Sequence, residues 1–180
     1  VELSGPIMQR VADETGTLAL LSVRDRGRVL ITKTWRPQEV SSIWLEVGHR
    51  LPFKGSSSGH AMLAALSEEG FMEALADAEG HRGLDEQNAR EARRAAYTQL
   101  VTEGFVIADP AAYFASNIHA VSVPFQSRDL SEPVIFTCGA MPKDLSMERM
   151  QTEVGPRLQA GVRELERIMG QGPFLSRHDI

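Results

Sequence analysis

Residues 47–66 read VGHRLPFKGSSSGHAMLAAL. Before this stretch the apolar residues gather in short runs rich in β-branched side chains, and after it they recur at helical spacing. Here the chain passes from sheet to helix. Its central five residues, Gly55-Ser56-Ser57-Ser58-Gly59, also satisfy the G-x-S-x-G pattern of a hydrolase nucleophile elbow. The local build of this turn therefore bears on fold and chemistry together.

Upstream, TLALLSV (17–23) and RVLITKTW (28–35) read as strands joined by a turn at DRG (25–27), and SSIWLEVG (41–48) as a third strand entered after Pro37. A short helix precedes them: Leu3, Ile7, Met8 and Val11 recur at helical spacing and Gly16 supplies the stop. Downstream, the serines cap a helix that places Met62, Leu63 and Leu66 on one face. Ser67 opens another, with Phe71, Met72 and Leu75 inward and Gly80 as its end. Asp85 caps a longer one marked by Ala89, Ala92, Ala96 and Leu100, with Glu86 and Arg90 paired at i,i+4 and Gly104 closing it.

Strand character then returns at FVIAD (105–109), IHAVSVPFQ (118–126) and PVIFTCGA (133–140), with PAAYFASN (110–117) as a loop. A last helix opens near Ser146 and runs through Met147, Met150, Val154, Leu158, Val162, Leu165 and Ile168, bent at Pro156. Strands that come in two runs, separated by a run of helices, predict an α+β fold with a mainly antiparallel sheet and exclude a doubly wound parallel one.

A chain of 180 residues suits one domain with an adequate core. The net charge of −5, without a cluster of Lys or Arg, excludes an autonomous nucleic-acid binder. No apolar run reaches the roughly 18 residues of a membrane span and the N-terminus has no signal-peptide character, so a cytoplasmic location without membrane contact is expected. The first residue is Val1, which points to a fragment or processed product. The single cysteine, Cys138, cannot form an internal disulfide and reads as a small buried apolar residue. His49, His60, His81, His119 and His178 lack metal-ligand spacing, and neither metal nor cofactor is expected. Trp35 and Trp44 read as core, and the charges of EQNAREARR (86–94) as a solvated helix face.

A nucleophile elbow needs a buried strand running straight into the serine. Here Pro52 removes a ladder donor and Lys54 would be a buried charge, so Leu51 to Gly55 reads as loop. Asp109 and His119 follow in triad order, yet strand parity sets His119 opposite Ile118, Ala120 and Ser122. Two other readings remain. The serines are caps on a flexible loop, or the backbone amides at the helix start receive an anion that the flanking glycines let approach.

The same run resembles a known pattern, in which Gly-x-Arg-Leu-Pro leads by a short loop to Thr-Ala-x-Gly-Lys-Ala and an apolar helix. It is similar to the effector-binding domain of the isocitrate lyase regulator (IclR) family of bacterial transcription factors. LVTEGFVIAD resembles that family's Arg-x-x-Gly-Tyr segment, AVSVPF its Ala-Ala-Pro-Val strand, and EPVIFTCGAMP its closing strand, so the likeness covers essentially all of residues 1–180.

The resemblance implies a GAF-like domain with a six-stranded antiparallel sheet. Residues 1–15 would be the stub of a linker helix, 16–172 the effector-binding domain and 173–180 a C-terminal tail. It further implies a homodimer or homotetramer that binds a small organic acid without catalysis, and that reaches DNA only through a winged helix-turn-helix domain outside this chain. Carried over, the carboxylate would meet the amides of Ser57 and Ser58, with Ser56 in the Thr position and Gly59 beside them. Ile118, Ala120 and Ser122 on one late strand and Phe136, Cys138 and Ala140 on the other would line the pocket, with Asp109 as its acidic position. His60 departs from the usual Lys and Asn117 from a common Gly. Cys138 and Ala140 stand where small polar groups are usual. With Tyr113, Phe114 and Trp44 near, the expected ligand is a bulkier or aromatic acid.

Overall fold

The computed structural model describes residues 3–38, 43, 45–78 and 84–180. Trp44 and the helix stop expected at Gly80 lie outside the described residues, as does His81. Strand β1 (Leu18–Asp25) turns tightly into β2 (Arg28–Trp35), β3 (Arg50–Pro52) lies on the far edge of β2, and β5 (Val134–Ala140) joins β1 to β4 (His119–Phe125). All four pairings are antiparallel, in the order β3-β2-β1-β5-β4. The α+β class and the antiparallel sheet are as the sequence predicts.

Among the described residues the sheet has five strands where six were expected. Residues 41, 42 and 44 of the expected third strand lie outside the described residues; Ile43 and Leu45 are buried outside any strand, and among the described residues pairing with β2 starts where Ile31 exchanges hydrogen bonds with Gly48 and His49. The third strand is therefore 50–52, and Pro52 ends it on a sheet edge, where its missing N–H breaks no ladder. The segment 105–109 contributes one bridge, in which Val106 exchanges two hydrogen bonds with Ser122. Its next amide, that of Ile107, bonds Gln99 Oε1 instead of a strand, and Pro110 opens a 3₁₀ turn.

The helices are α1 (Ser4–Thr15), α2 (Ser57–Ala65), α3 (Glu68–Asp77), α4 (Glu86–Thr102), the short α5 (Met147–Arg149) and α6 (Gly155–Ile168). Ser56, Ser67 and Asp85 each accept the N3 amide of the helix that follows, as capping residues do. A π-helical turn, Met150–Val154, separates α5 from α6: Gly155 N–H reaches Met150 O five residues back, just before Pro156, which has no N–H to give. The bend expected at Pro156 is thus a widened turn. In α3, Phe71 and Ala74 are buried while Met72 is exposed, so the inward face is one position narrower than the spacing suggested.

One sheet face carries Leu18, Leu20, Val29, Ile31, Ala120 and Ile135 against α2, which is buried along nearly its whole circumference because α4 covers its outer side. The other face carries Ala19, Leu21, Val121, Val123, Phe136 and Cys138 against α1 and α6. Residues 173–178, expected as a tail, return across this body: Phe174 is buried in the α2 core and His178 bonds Ala64 O at 2.7 Å.

Candidate functional site

The start of α2 lies where the edge strand β3 turns under the sheet. Ser56 Oγ donates to Pro52 O at 2.7 Å and accepts Gly59 N–H at 2.9 Å, tying the turn to the first helical residues. A Cβ on Gly59 would stand 2.4 Å from Pro52 O, so only glycine allows this crossing of strand end and helix. Gly55 has φ 77°, and a side chain there would press on Ala112 O at 2.8 Å. His60 Nε2 accepts the Gly55 amide at 3.3 Å, and burial keeps its imidazole pKa below the ordinary value. It is a neutral acceptor inside the turn.

The other two serines staple α2 to the sheet. Ser57 Oγ donates to Ala120 O at 2.8 Å and accepts Ala108 N–H at 3.0 Å. Ser58 Oγ meets Thr137 Oγ1 at 2.7 Å, and Thr137 Oγ1 meets Ser122 Oγ at 2.6 Å, a buried hydroxyl chain across the sheet face. A nucleophile would need its hydroxyl held by a base. Here the Ser57 proton is directed at a backbone carbonyl, His119 Nδ1 bonds Leu145 O, and Asp109 caps the amide of Ala111. These three residues do not assemble into a triad.

The backbone amides at the start of α2 are what remains for an anion, since first-turn donors have no intrahelical acceptor. The Ser57 amide is covered by the hydroxyl of Tyr113 at 3.3 Å, and burial pushes that phenol pKa up, so it stays neutral. The loop carrying Tyr113 is held against the turn by Phe114 N–H, which bonds Gly55 O at 2.8 Å. Beside the turn opens a cleft of about 360 Å³, with Lys54, Gly55 and His60 on one wall, Ala92 and Ala95 of α4 on another, and Ala108 and Asp109 closing it. That volume lies within the range of small-molecule pockets.

Of the residues expected to form the site, Ser56, Ser57, Ser58 and Gly59 stand together at the helix start, and Ala120 and Ser122 reach them through hydrogen bonds. Ile118 shares the same core, and Asp109 lies exposed at the cleft. Phe136, Cys138 and Ala140 do not join them. Register pairs Val123 with Phe136 and Val121 with Cys138, which sets these side chains on the opposite face, against α1 and α6. The β5 residues that share a face with Ala120 and Ser122 are Gly139 and Thr137. Both faces of β5 are buried, so apolarity could not phase it; the lone hydroxyl of Thr137 was the available signal. Cys138 is fully buried with its thiol pushed up to about 12, an inert apolar residue of the other core. Among the described residues no group of three His, Cys, Asp or Glu could hold a metal ion, and no helix is long and apolar enough to cross a membrane.

Residues 1–85 match the family model described as bacterial transcriptional regulator IclR C-terminal. That stretch contains the whole turn from β3 into α2. The likeness in fold extends over the rest of the chain. An IclR family transcriptional regulator from Brucella abortus superposes with a TM-score of 0.78 at 22% identity, over 93% of this chain and 62% of that one. The first 85 residues are thus similar in sequence to IclR C-terminal domains, and nearly the whole chain is similar to such a regulator in fold. The chain therefore spans less than two thirds of the Brucella regulator's length. The IclR of Thermotoga maritima gives a TM-score of 0.74 at 14% identity, over 94% of this chain and 68% of that one. A double mutant of the PobR transcription factor inducer-binding domain from Acinetobacter, in complex with 3-hydroxybenzoic acid, gives 0.73 at 16% identity, over 93% and 97%. No curated protein matches the sequence. The neighbours named here are transcriptional regulators, and at these identities the likeness is one of fold.

Proposed function

We propose that this chain is the ligand-sensing and oligomerising part of an IclR-type DNA-binding regulator. Its effector is a small organic acid, aromatic rather than two- or three-carbon, taken into the cleft beside the β3–α2 turn with its carboxylate at the amides of Ser57 and Ser58. The observation that carries the reading is the helix start itself: every serine hydroxyl is spent on structure, which leaves the first-turn amides, buried and with that of Ser57 covered by Tyr113, next to a cleft of ligand size walled by Gly55 and His60. Helix dipole and amide donors both favour negative charge at that point. The PobR neighbour, solved with a hydroxybenzoic acid, supports an aromatic acid as the ligand class. DNA would be reached through a separate domain, and ligand would act by binding two states of the regulator unequally.

The test is a thermal-shift panel of carboxylic acids with two variants. Ser57→Ala keeps the amide and should still respond. Ser57→Pro removes it at a helix position where proline is tolerated, and should not. A domain that responds to no acid, or a proline variant that responds like the parent, would reject the assignment.

A further inference from the structure

Tyr113 stands where, on the reading above, the effector's carboxylate belongs. Its hydroxyl is the acceptor at the Ser57 amide, and its loop is fastened to the Gly55 turn through Phe114 N–H and the close approach of Ala112 O. The neighbouring groups cannot take over that amide: Ser56 Oγ is committed to Pro52 and Gly59, and Ser57 Oγ to Ala120 and Ala108. Ala108 and Ala112, on either side of the Asp109–Pro110 turn, face the cleft, so the loop that holds Tyr113 is also a cleft wall.

We propose that Tyr113 determines which ligands this domain accepts, by acting as an internal occupant that an aryl carboxylate replaces. The proposal rests on the effector reading. The exchange is directional. A carboxylate oxygen makes a charge-assisted bond about twice as strong as a neutral one and gains from the helix dipole, whereas an amide or alcohol offers nothing the phenol does not already supply. The ring that leaves vacates the space of one benzene ring with an oxygen aimed at Ser57. The ligand class that fits is a monocarboxylic acid with a single aromatic ring. Because Phe114 follows Tyr113 in the loop and bonds Gly55, displacement of the ring also moves the turn that carries His60's partner amide.

The probes are benzoate, its neutral isostere benzamide, and acetate, titrated into the chain and into Tyr113→Phe, which keeps the ring and removes only the hydroxyl. Hydrogen exchange is followed at the Ser57 amide. In Tyr113→Phe that amide should exchange faster without ligand, and benzoate should bind about fivefold tighter, the effect of one competing hydrogen bond removed. Benzamide should not bind the parent, where the phenol already supplies a neutral acceptor, and acetate should bind either protein far more weakly than benzoate. Benzoate affinity that is unchanged or weaker in Tyr113→Phe overturns the exchange while leaving the effector reading intact. Should no carboxylate bind either protein, both fall. Equal binding of benzamide and benzoate would overturn the selection of charge.

Discussion

At the scale of single residues, Ser57 is a staple and its hydroxyl has a measurable structural role. Ser57→Ala leaves Ala108 N–H and Ala120 O, both buried, without a partner. Unpaired buried backbone groups cost about 1–3 kcal/mol each, so a loss on the order of 2 kcal/mol is expected in urea unfolding. A change below a few tenths would mean that the two groups find other partners. Gly59 is constrained differently. Gly59→Ala places a methyl 2.4 Å from Pro52 O and 2.6 Å from Phe53 Cα, backbone atoms that cannot yield as a side-chain end would. The expected cost is about 1–3 kcal/mol, as for overpacking elsewhere, read as a lower denaturation midpoint at unchanged slope. Both substitutions alter the same turn, so their effects should not add, and the double variant tests that coupling.

At the scale of elements, α2 is anchored at both ends. Its C-terminal carbonyls would be orphaned, but Arg93 of α4 donates to Leu63 O at 2.9 Å and to Leu66 O at 2.6 Å, while its guanidinium lies 4.9 Å from the Phe71 ring centroid. Arg93→Met should lower stability by about 2–4 kcal/mol in denaturant melts, because two bonds from a charged donor are lost. Arg93→Lys should recover only part, since a single ammonium lacks the fork that spans both carbonyls. The sequence suggested a solvated face for EQNAREARR, and Arg93 is its exception. What the periodicity of α4 could not reveal is that an alanine face, marked by Ala89 and Ala96, leaves room for a neighbouring arginine to fold inward. Caps and strand–helix order were legible because they depend on local chemistry: Ser56, Ser67 and Asp85 each do what their position implies. The phase of β5 and the extent of β3 were not. The first is hidden by burial on both faces, and the second depends on which residues β2 pairs with, a tertiary matter. Tyr113 was visible only as an aromatic in a loop, because nothing in the local sequence aims its hydroxyl at residue 57.

At the scale of the whole molecule, the returning segment 173–178 ties distant parts together, and buried titratable groups make that tie depend on pH. His178 bonds Ala64 O at the end of α2, Arg177 bonds Gln126 O just past β4, and Glu166 of α6 is buried where the segment leaves. Desolvation holds the His178 pKa below the ordinary histidine value, with Arg93 adding to the shift, and holds that of His60 down in the same way. Desolvation raises the Glu166 carboxyl despite its backbone partner at Phe174 and the nearby charges of Arg163 and Arg177. The signs then differ. A histidine depressed in the folded state takes up a proton more readily when unfolded, so stability falls as pH drops below about 6.5 toward the folded value. A carboxyl raised in the folded state ionises more readily when unfolded, so stability is lost as pH rises from about 4.5 through the raised value. Glu166→Gln removes the second dependence and should make the protein more stable at pH 7 than the parent, with little difference near pH 4. His178→Asn should remove its share of the loss below about pH 6.5, leaving that of His60, while lowering stability at pH 7, because the bond to Ala64 O is weakened. Urea midpoints measured from pH 4 to 8 for the three proteins separate these effects, and parallel curves for parent and Glu166→Gln would show that the carboxyl titrates alike in both states.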